Sequence, residues 1–327
     1  MNYREFGRDK IKISEVGLGC WQIGGNWGEV RNSTANAILQ QSIDSGITFF
    51  DTADVYGEGR SETLIGEFLK ISDQKDVFVA TKVGRLGLYP NGYTRDSVRA
   101  CVEDSLKRLQ MKSLDLVQLH CIPHEVMKKG KVFSWLDELM DEGLIQRYGA
   151  SVESMEEAHT CISVAPQLYS FQIIFNIFRQ KPIHSLFDLA AEKEIGIIAR
   201  VPLASGLLTG KLTANQQFDE SDHRNFNCDG QYFNVGETFA GLPYNKGVAL
   251  AEKVKQILPG RGTMAQQSLR WILDHPAVSV VIPGASRPEQ AKANAEASVL
   301  SPISAEKYDA LKSLYREEVE AHIRGPY

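Results

Sequence analysis

The sequence predicts an α/β protein of the (β/α)8, or TIM-barrel, type with an N-terminal hairpin and a long loop after the seventh strand. Three observations carry that expectation. Short apolar segments alternate with one-sided helical segments eight times along the chain, which implies parallel strands joined by right-handed crossovers. Several of the apolar segments stop abruptly at a polar or charged residue. No Pro/Gly/Ser-rich linker, charge block or fixed-period repeat divides the 327 residues, so one barrel domain is expected over 1–327.

The elements follow in order. Polar and apolar residues alternate over 4–16 around Gly7-Arg8-Asp9-Lys10, which reads as a hairpin capping one end of the barrel. Val16 to Trp21 is a short first strand running into a glycine-rich loop. A helix over 34–45 precedes the β-branched and aromatic run Ile47-Thr48-Phe49-Phe50, which ends at Asp51. A helix over 61–69 precedes Val77 to Thr81, which ends at Lys82. Val98, Cys101, Val102, Leu106 and Leu109 fall at helical spacing after a candidate N-cap, Thr94. The strand Leu116 to Leu119 then ends at His120. Val132, Trp135, Leu136, Leu139 and Met140 mark the next helix. Strands over 145–151, 169–176 and 195–199 alternate with helices over 155–164 and 185–193. Beyond a long insert, helices are expected over 244–258 and 263–275, and the last strand over 278–282. A helix opening at Pro288 and a closing helix over 304–321 complete the chain.

Composition narrows the classes of function. A chain 43% hydrophobic and 24% charged can bury a sizeable core, and a net charge of -5 argues against a general affinity for nucleic acid. Five cysteines without a C-x-x-C pair fit free thiols in a reducing compartment. No segment has the length and apolarity of a membrane span or a signal peptide, so a cytoplasmic location without membrane association is expected. The sequence leaves monomer and homo-oligomer open.

In a barrel of this type the C-terminal ends of the strands build the active site. Asp51, Lys82, His120, Ser151, Gln172 and Arg200 fall at or near such ends, and Tyr56 follows on a turn. A tyrosine has a pKa of about 10 and is a poor acid at neutral pH; a nearby ammonium lowers it by favouring the phenolate. Lys82 is the obvious source of that charge, Asp51 can hold Lys82 in place, and His120 can hydrogen-bond a substrate oxygen. Together the four suit protonation of a carbonyl oxygen as hydride reaches its carbon. Taken singly, Asp51 and Lys82 also read as a structural ion pair and Tyr56 as a packed loop residue.

A hydride donor requires a cofactor site. The dinucleotide fingerprint is absent, because Gly17-x-Gly19 continues to Gln22 where a third glycine would stand. Ser205 to Lys211 resembles a P-loop, but its glycine spacing is one short and Leu212 replaces the Ser/Thr, which argues against an ATP site. Pro283-Gly284-Ala285-Ser286-Arg287 before Pro288 suits phosphate binding at a helix start, or is an ordinary strand-to-helix loop. His120, Cys121 and His124 carry no metal expectation, since Pro123 interrupts any helix between the histidines and no carboxylate cluster adjoins them in sequence. His159, His184 and His275 are read as surface or packing residues.

Asp51-Thr52-Ala53 with Tyr56-Gly57, Lys82 and His120 closely resembles the aldo-keto reductases, and the resemblance covers nearly the whole chain. Gly17-Leu18-Gly19 with Cys20 and Trp21 resembles the family's first-strand loop, and Gly149-Ala150-Ser151 its Gly-Val-Ser. The resemblance implies Tyr56 as acid, tuned by Lys82 and Asp51, with His120 orienting the carbonyl. It implies that Gln172 and Ser151 hold the nicotinamide carboxamide. It places Pro202, Leu203, Ser205, Gly206 and Lys211 at the pyrophosphate, and Gly284, Ser286, Arg287, Gln290 and Asn294 at the adenosine end. NADP(H) is the implied cofactor, with Arg287 and Ser286 near the 2′-phosphate, and a small carbonyl or sugar the implied substrate. Two departures stand out. Val152 replaces an asparagine common after the serine, and Arg200 replaces an aromatic that stacks on nicotinamide; a guanidinium plane can also stack.

Three rival readings differ in chemistry. A Schiff-base aldolase would use Lys82 as nucleophile but leaves Asp51, Tyr56 and the cofactor-like loops without a role. An NAD-dependent sugar dehydrogenase would share the fold. A nicotinamide-binding, redox-sensing regulatory subunit would resemble the potassium-channel β-subunits. The insert over 212–242 carries Phe218, Phe226, Tyr232, Phe233 and Phe239, which favours a lid over cofactor and substrate rather than an excursion on the barrel's side.

Overall fold

A computed structural model describes residues 1–25, 30–72, 74 and 76–327. An antiparallel hairpin, β1 (Tyr3–Phe6) and β2 (Ile11–Ser14), precedes eight parallel strands. These are β3 (Leu18–Gly19), β4 (Phe49–Asp51), β5 (Phe78–Val83), β6 (Leu116–His120), β7 (Tyr148–Ser151), β8 (Ser170–Ile174), β9 (Gly196–Arg200) and β10 (Val278–Val281). Each pairs with its sequence neighbour, as a (β/α)8 topology requires. The sheet closes where Gly17 N–H donates to the Val281 carbonyl (2.8 Å) and Gly19 N–H to the Pro283 carbonyl (3.0 Å). Parallel bridges Val16↔Val281 and Gly19↔Gly284 mark the same seam.

The hairpin plugs the barrel's N-terminal end, as its alternating pattern predicts. Phe6 packs edge-on to Phe49, Phe78 and Tyr169, at ring separations of 5.7, 5.6 and 5.2 Å. The Tyr169 hydroxyl donates to the Phe6 carbonyl (2.6 Å). Gly7 turns the hairpin at φ +61°, and a Cβ there would meet the Tyr169 ring at 2.4 Å. Burying Phe6 fully stabilises the plug by roughly 2–3 kcal/mol.

Local signals place the helices. Thr94 caps Arg95–Leu109 in a reciprocal box with Ser97, and Ser154 and Thr263 do the same with Glu157 and Gln266. Pro288 takes the first turn of Pro288–Glu296. Four expectations need correction. The strand expected over 145–151 is Tyr148–Ser151, because Ile145 only bridges Leu114 before the chain bends. The helix expected over 185–193 is two pieces, Pro182–Ser185 and Phe187–Glu192, broken where Leu186 takes φ -137°. The closing helix ends at Leu314, and a π turn over Tyr315–Val319 continues it with Tyr315 and Val319 buried. The first strand, expected from Val16 into a glycine-rich loop, is only Leu18–Gly19, and the loop is replaced by the helix Trp21–Gly24.

One buried group is poorly served by this architecture. Asp54 is 1% exposed, and neither carboxyl oxygen accepts a well-formed hydrogen bond among the described residues. Burial first, then the nearby Glu62 carboxylate, push its pKa up to about 7; the Val55 amide, Arg108 and Lys82 offset this only in part. The unfolded chain loses this proton near pH 4 while the folded protein keeps it to about pH 7, so folding stability falls as pH rises between the two. Asp54→Asn removes that loss. Denaturant unfolding is expected to show the variant about 2–4 kcal/mol more stable than the parent at about pH 8, the gap closing towards about pH 4. A gap independent of pH would contradict the assignment.

Candidate active site

The strand ends assemble the site. Asp51 closes β4, Lys82 lies in β5 with its side chain fully buried, and His120 closes β6. Register aligns His120 with Ser151 and Ser151 with Gln172, one row across three strands. Tyr56 arrives on the turn after β4. Thr52 pins that turn by donating to the Ser61 hydroxyl (2.8 Å), which donates in turn to the Cys20 carbonyl (2.9 Å). Gly57 holds φ +62° with the Gly24 carbonyl 2.1 Å from where a Cβ would stand, so only glycine lets the turn approach this closely.

The ammonium of Lys82 has three donors and spends each. It donates to Asp51 Oδ2 (2.7 Å), to the Thr52 carbonyl (2.8 Å) and to Tyr56 Oη (3.2 Å). Gln172 Nε2 donates to the other Asp51 oxygen (2.7 Å). Because Tyr56 Oη accepts from Lys82, its own O–H is left to point elsewhere. The Tyr56 ring stacks on Trp21 (5.8 Å, 15°) and meets the His120 ring edge-on (5.8 Å).

Burial works against the Lys82 charge, but Asp51 and then Tyr56 outweigh it, holding its pKa above the ordinary value. Burial likewise pushes the Asp51 carboxyl up, with Lys82 and Gln172 pulling it back. The Tyr56 phenol corrects an expectation. Lys82 acts in the predicted direction, but burial of the hydroxyl is the larger effect and the net shift is upward. Tyr56 is partly buried on the cavity wall, and its hydroxyl accepts from the buried Lys82 ammonium. Burial, then Lys82, Arg85 and Arg200, hold His120 well below its ordinary pKa, so it is neutral at pH 7 and keeps one ring N–H to donate.

These groups open into a cavity of about 530 Å³. Its wall also includes Ser205 and Gly206, in left-handed backbone at φ 54° and 103°, and Lys211, Arg224 and Arg287. A shallower depression of about 570 Å³ beside Asp274, His275 and Tyr308 shares no residue with it.

The model of the Aldo/keto reductase family matches residues 15–316. The chain belongs to this family. The aldo-keto reductase YhdN of Bacillus subtilis (strain 168) is 33% identical over 302 residues, covering 90% of this chain and 88% of YhdN. A probable voltage-gated potassium channel subunit beta of Oryza sativa subsp. japonica is 28% identical over 98% of this chain and 100% of its own. The structure of the glycerol dehydrogenase AKR11B4 from Gluconobacter oxydans superposes with a TM-score of 0.78 at 26% identity, covering 99% of this chain and 98% of that one.

In this aldo-keto reductase the cavity wall includes Gly19, Trp21, Asp51, Tyr56, His120, Gln172 and Arg200 at the strand ends. Further along it includes Pro202, Leu203, Ser205, Gly206, Lys211, Gly284, Ser286, Arg287 and Gln290. Four expected site residues stand behind the wall. Lys82 supports Asp51 and Tyr56; Cys20 N–H donates to the Asp51 carbonyl (2.8 Å); Asn294 Nδ2 donates to the Gly284 carbonyl (3.2 Å). Ser151 is buried, its Oγ facing Cys121 Sγ at 3.5 Å. Ser286 is tied by its N–H and its hydroxyl to Gln290 Oε1 (2.8 and 3.0 Å).

Sequence reasoning missed Arg85, Arg224 and Glu237. Arg85 donates to the His120 carbonyl (3.2 Å) and pairs with Glu153 (3.0 Å). Glu237 pairs with Arg200, and Arg224 pairs with Asp222 while lying over the Phe218 ring (4.5 Å). Glu237 and Arg224 lie in the aperiodic insert, where no spacing signals them. Carboxylates distant from Cys121 in sequence come near it in the fold, where Glu153 and Glu237 bring ligand atoms within 4.8 Å of it. Each of those carboxylates already has an arginine for a counter-charge.

Among the described residues no helix is long and apolar enough to cross a membrane. His275 is packed against Phe175, Trp271 and Tyr308, while His159 and His184 are exposed.

Proposed function

We propose that the chain is an NADP(H)-dependent oxidoreductase that reduces small aldehydes, ketones or sugars and runs in reverse on alcohols. The observation that carries this is Lys82 Nζ, shared between Asp51 Oδ2 and Tyr56 Oη with the phenol at the cavity surface. When bound, the reduced nicotinamide supplies a hydride to the carbonyl carbon.

The cavity fits such a cofactor. Gln172 commits only its Nε2 to Asp51, which leaves Oε1 as an acceptor for a carboxamide. Lys211 and Arg287 line the cavity and have no ion-pair partner among the described residues, which suits a phosphate-binding wall. Arg287 would hold the 2′-phosphate, joined by the Ser286 hydroxyl once it turns its one donor from Gln290 Oε1 to the phosphate. Ser151, in register with Gln172 but buried, supports the carboxamide site through Cys121, 3.5 Å from its Oγ.

Tyr56 gives its proton to the carbonyl oxygen, and Lys82 stabilises the phenolate left behind. Asp51 keeps Lys82 charged and aimed. His120, neutral, orients the carbonyl with its ring N–H. The insert closes over the cofactor: Phe233 meets Trp21 at 6.0 Å, and Phe233, Arg224 and Glu237 line the cavity. The glycerol dehydrogenase likeness adds polyols to the substrates worth testing. Likeness to a potassium channel subunit supports a second reading, a regulatory subunit that holds cofactor with little turnover.

Fluorescence titration with both reduced cofactors tests the cofactor assignment. NADPH is expected to bind at least about tenfold more tightly than NADH, and hydrogen exchange across 212–242 to slow on binding. Tighter binding of NADH would sink the NADP assignment, and unchanged exchange would sink the lid.

A further inference from the structure

We propose that Glu237 is a positioning residue that holds Arg200 and cancels its charge beside the nicotinamide, and so sets the relative affinity of the site for oxidised and reduced cofactor. The inference rests on the nicotinamide reading above and goes beyond it to a residue of the insert.

Arg200 closes β9 on the cavity wall and is 6% exposed. Its guanidinium is held at two points besides the ion pair. Nη2 donates to the Val152 carbonyl (2.9 Å) and lies 3.7 Å from Cys121 Sγ, while Nη1 meets Glu237. Arg200 is close enough to Asp51, Tyr56 and His120 to bias the protonation of all three, so a ring reacting among those groups feels the same charge.

The other charges at this end are balanced from within the barrel. Lys82 is paired with Asp51, Arg85 with Glu153, and His120 is neutral. The counter-charge of Arg200 comes instead from the insert. Glu237 ends the 3-10 turn Val235–Glu237, capped by Asn234, whose Oδ1 accepts from Gly236 N–H (2.8 Å). Ser205, on the loop after β9, fastens this turn by donating to the Glu237 carbonyl (3.0 Å) and accepting from Phe239 N–H (3.0 Å). The carboxylate is therefore aimed by two tethers rather than left to wander.

An oxidised nicotinamide ring carries a positive charge and a reduced one does not. An uncompensated guanidinium disfavours the oxidised ring and leaves the reduced ring nearly indifferent. With Glu237 in place the site tolerates both, as a reversible oxidoreductase requires. The insert thus contributes a charge as well as a cover.

The test is equilibrium titration of the full chain with NADP⁺ and NADPH, comparing the parent with Glu237→Gln, Glu237→Asp and Arg200→Gln, each checked for a cooperative melt. Glu237→Gln is expected to weaken NADP⁺ about tenfold while NADPH stays within about threefold. Glu237→Asp should recover most of the NADP⁺ affinity. Arg200→Gln should shift the ratio the opposite way, favouring NADP⁺, a change of sign that mere loosening of the insert cannot produce. Equal weakening of both forms by Glu237→Gln, or shifts of the same sign in both charge-removing variants, would overturn the proposal. Failure of the parent to bind either form would instead overturn the nicotinamide reading beneath it.

Discussion

Tyr56→Phe is expected to lower carbonyl turnover by about 10²- to 10⁴-fold while cofactor affinity stays within about threefold. The phenol is the proton donor in the proposed chemistry, and phenylalanine has none. The aromatic ring still stacks on Trp21 and still meets His120, so the cavity keeps its shape. Because burial holds the phenol above its ordinary pKa, it is protonated at neutral pH and ready to act as an acid. Steady-state rates with a reactive aldehyde, alongside cofactor titration, provide the check. A variant with near-normal turnover would remove Tyr56 from the chemistry.

Lys82→Met is expected to cost at least about 10²-fold in turnover and to move the pH profile of residual activity to higher pH. Methionine fills much the same space but returns none of the three hydrogen bonds to Asp51, Thr52 and Tyr56. The sign follows from the phenol. Lys82 pulls the Tyr56 pKa down against burial, so its loss raises that pKa further. The phenolate needed for alcohol oxidation then forms only at more alkaline pH. Asp51 is also left as a buried carboxylate without its cation, so a lower melting temperature is expected. Full activity with an unmoved pH profile would break the proposed coupling of Lys82 to Tyr56.

The barrel was legible because its signals are local. Several strands are short apolar runs that stop at a polar residue, and Thr94 announces its helix by a side chain within four residues, as Ser154 and Thr263 do in the structure. The convergence of Asp51, Lys82, His120 and Gln172 was legible for a related reason. Parallel strands in register carry their ends to one mouth, so position along the strand becomes position in space. What stayed hidden depends on contacts between distant segments. Glu237 meets Arg200 across 37 positions, through an insert with no period to read. The upward shift of Tyr56 is a matter of how deeply the hydroxyl is enclosed, and a list of charged neighbours points the other way. Asp54 sits just beyond β4, and only the packed structure shows that neither of its carboxyl oxygens accepts a well-formed hydrogen bond among the described residues.

The most direct test of the proposed oxidoreductase is whether the purified chain oxidises NADPH in a carbonyl-dependent way across a panel of aldehydes, ketones and sugars, with Tyr56→Phe as the control. The expected result is stoichiometric loss of reduced cofactor and appearance of the alcohol for at least one carbonyl compound, with the reaction all but absent in the variant. Tight retention of NADPH with no carbonyl-dependent oxidation, or a rate that Tyr56→Phe leaves untouched, would contradict it.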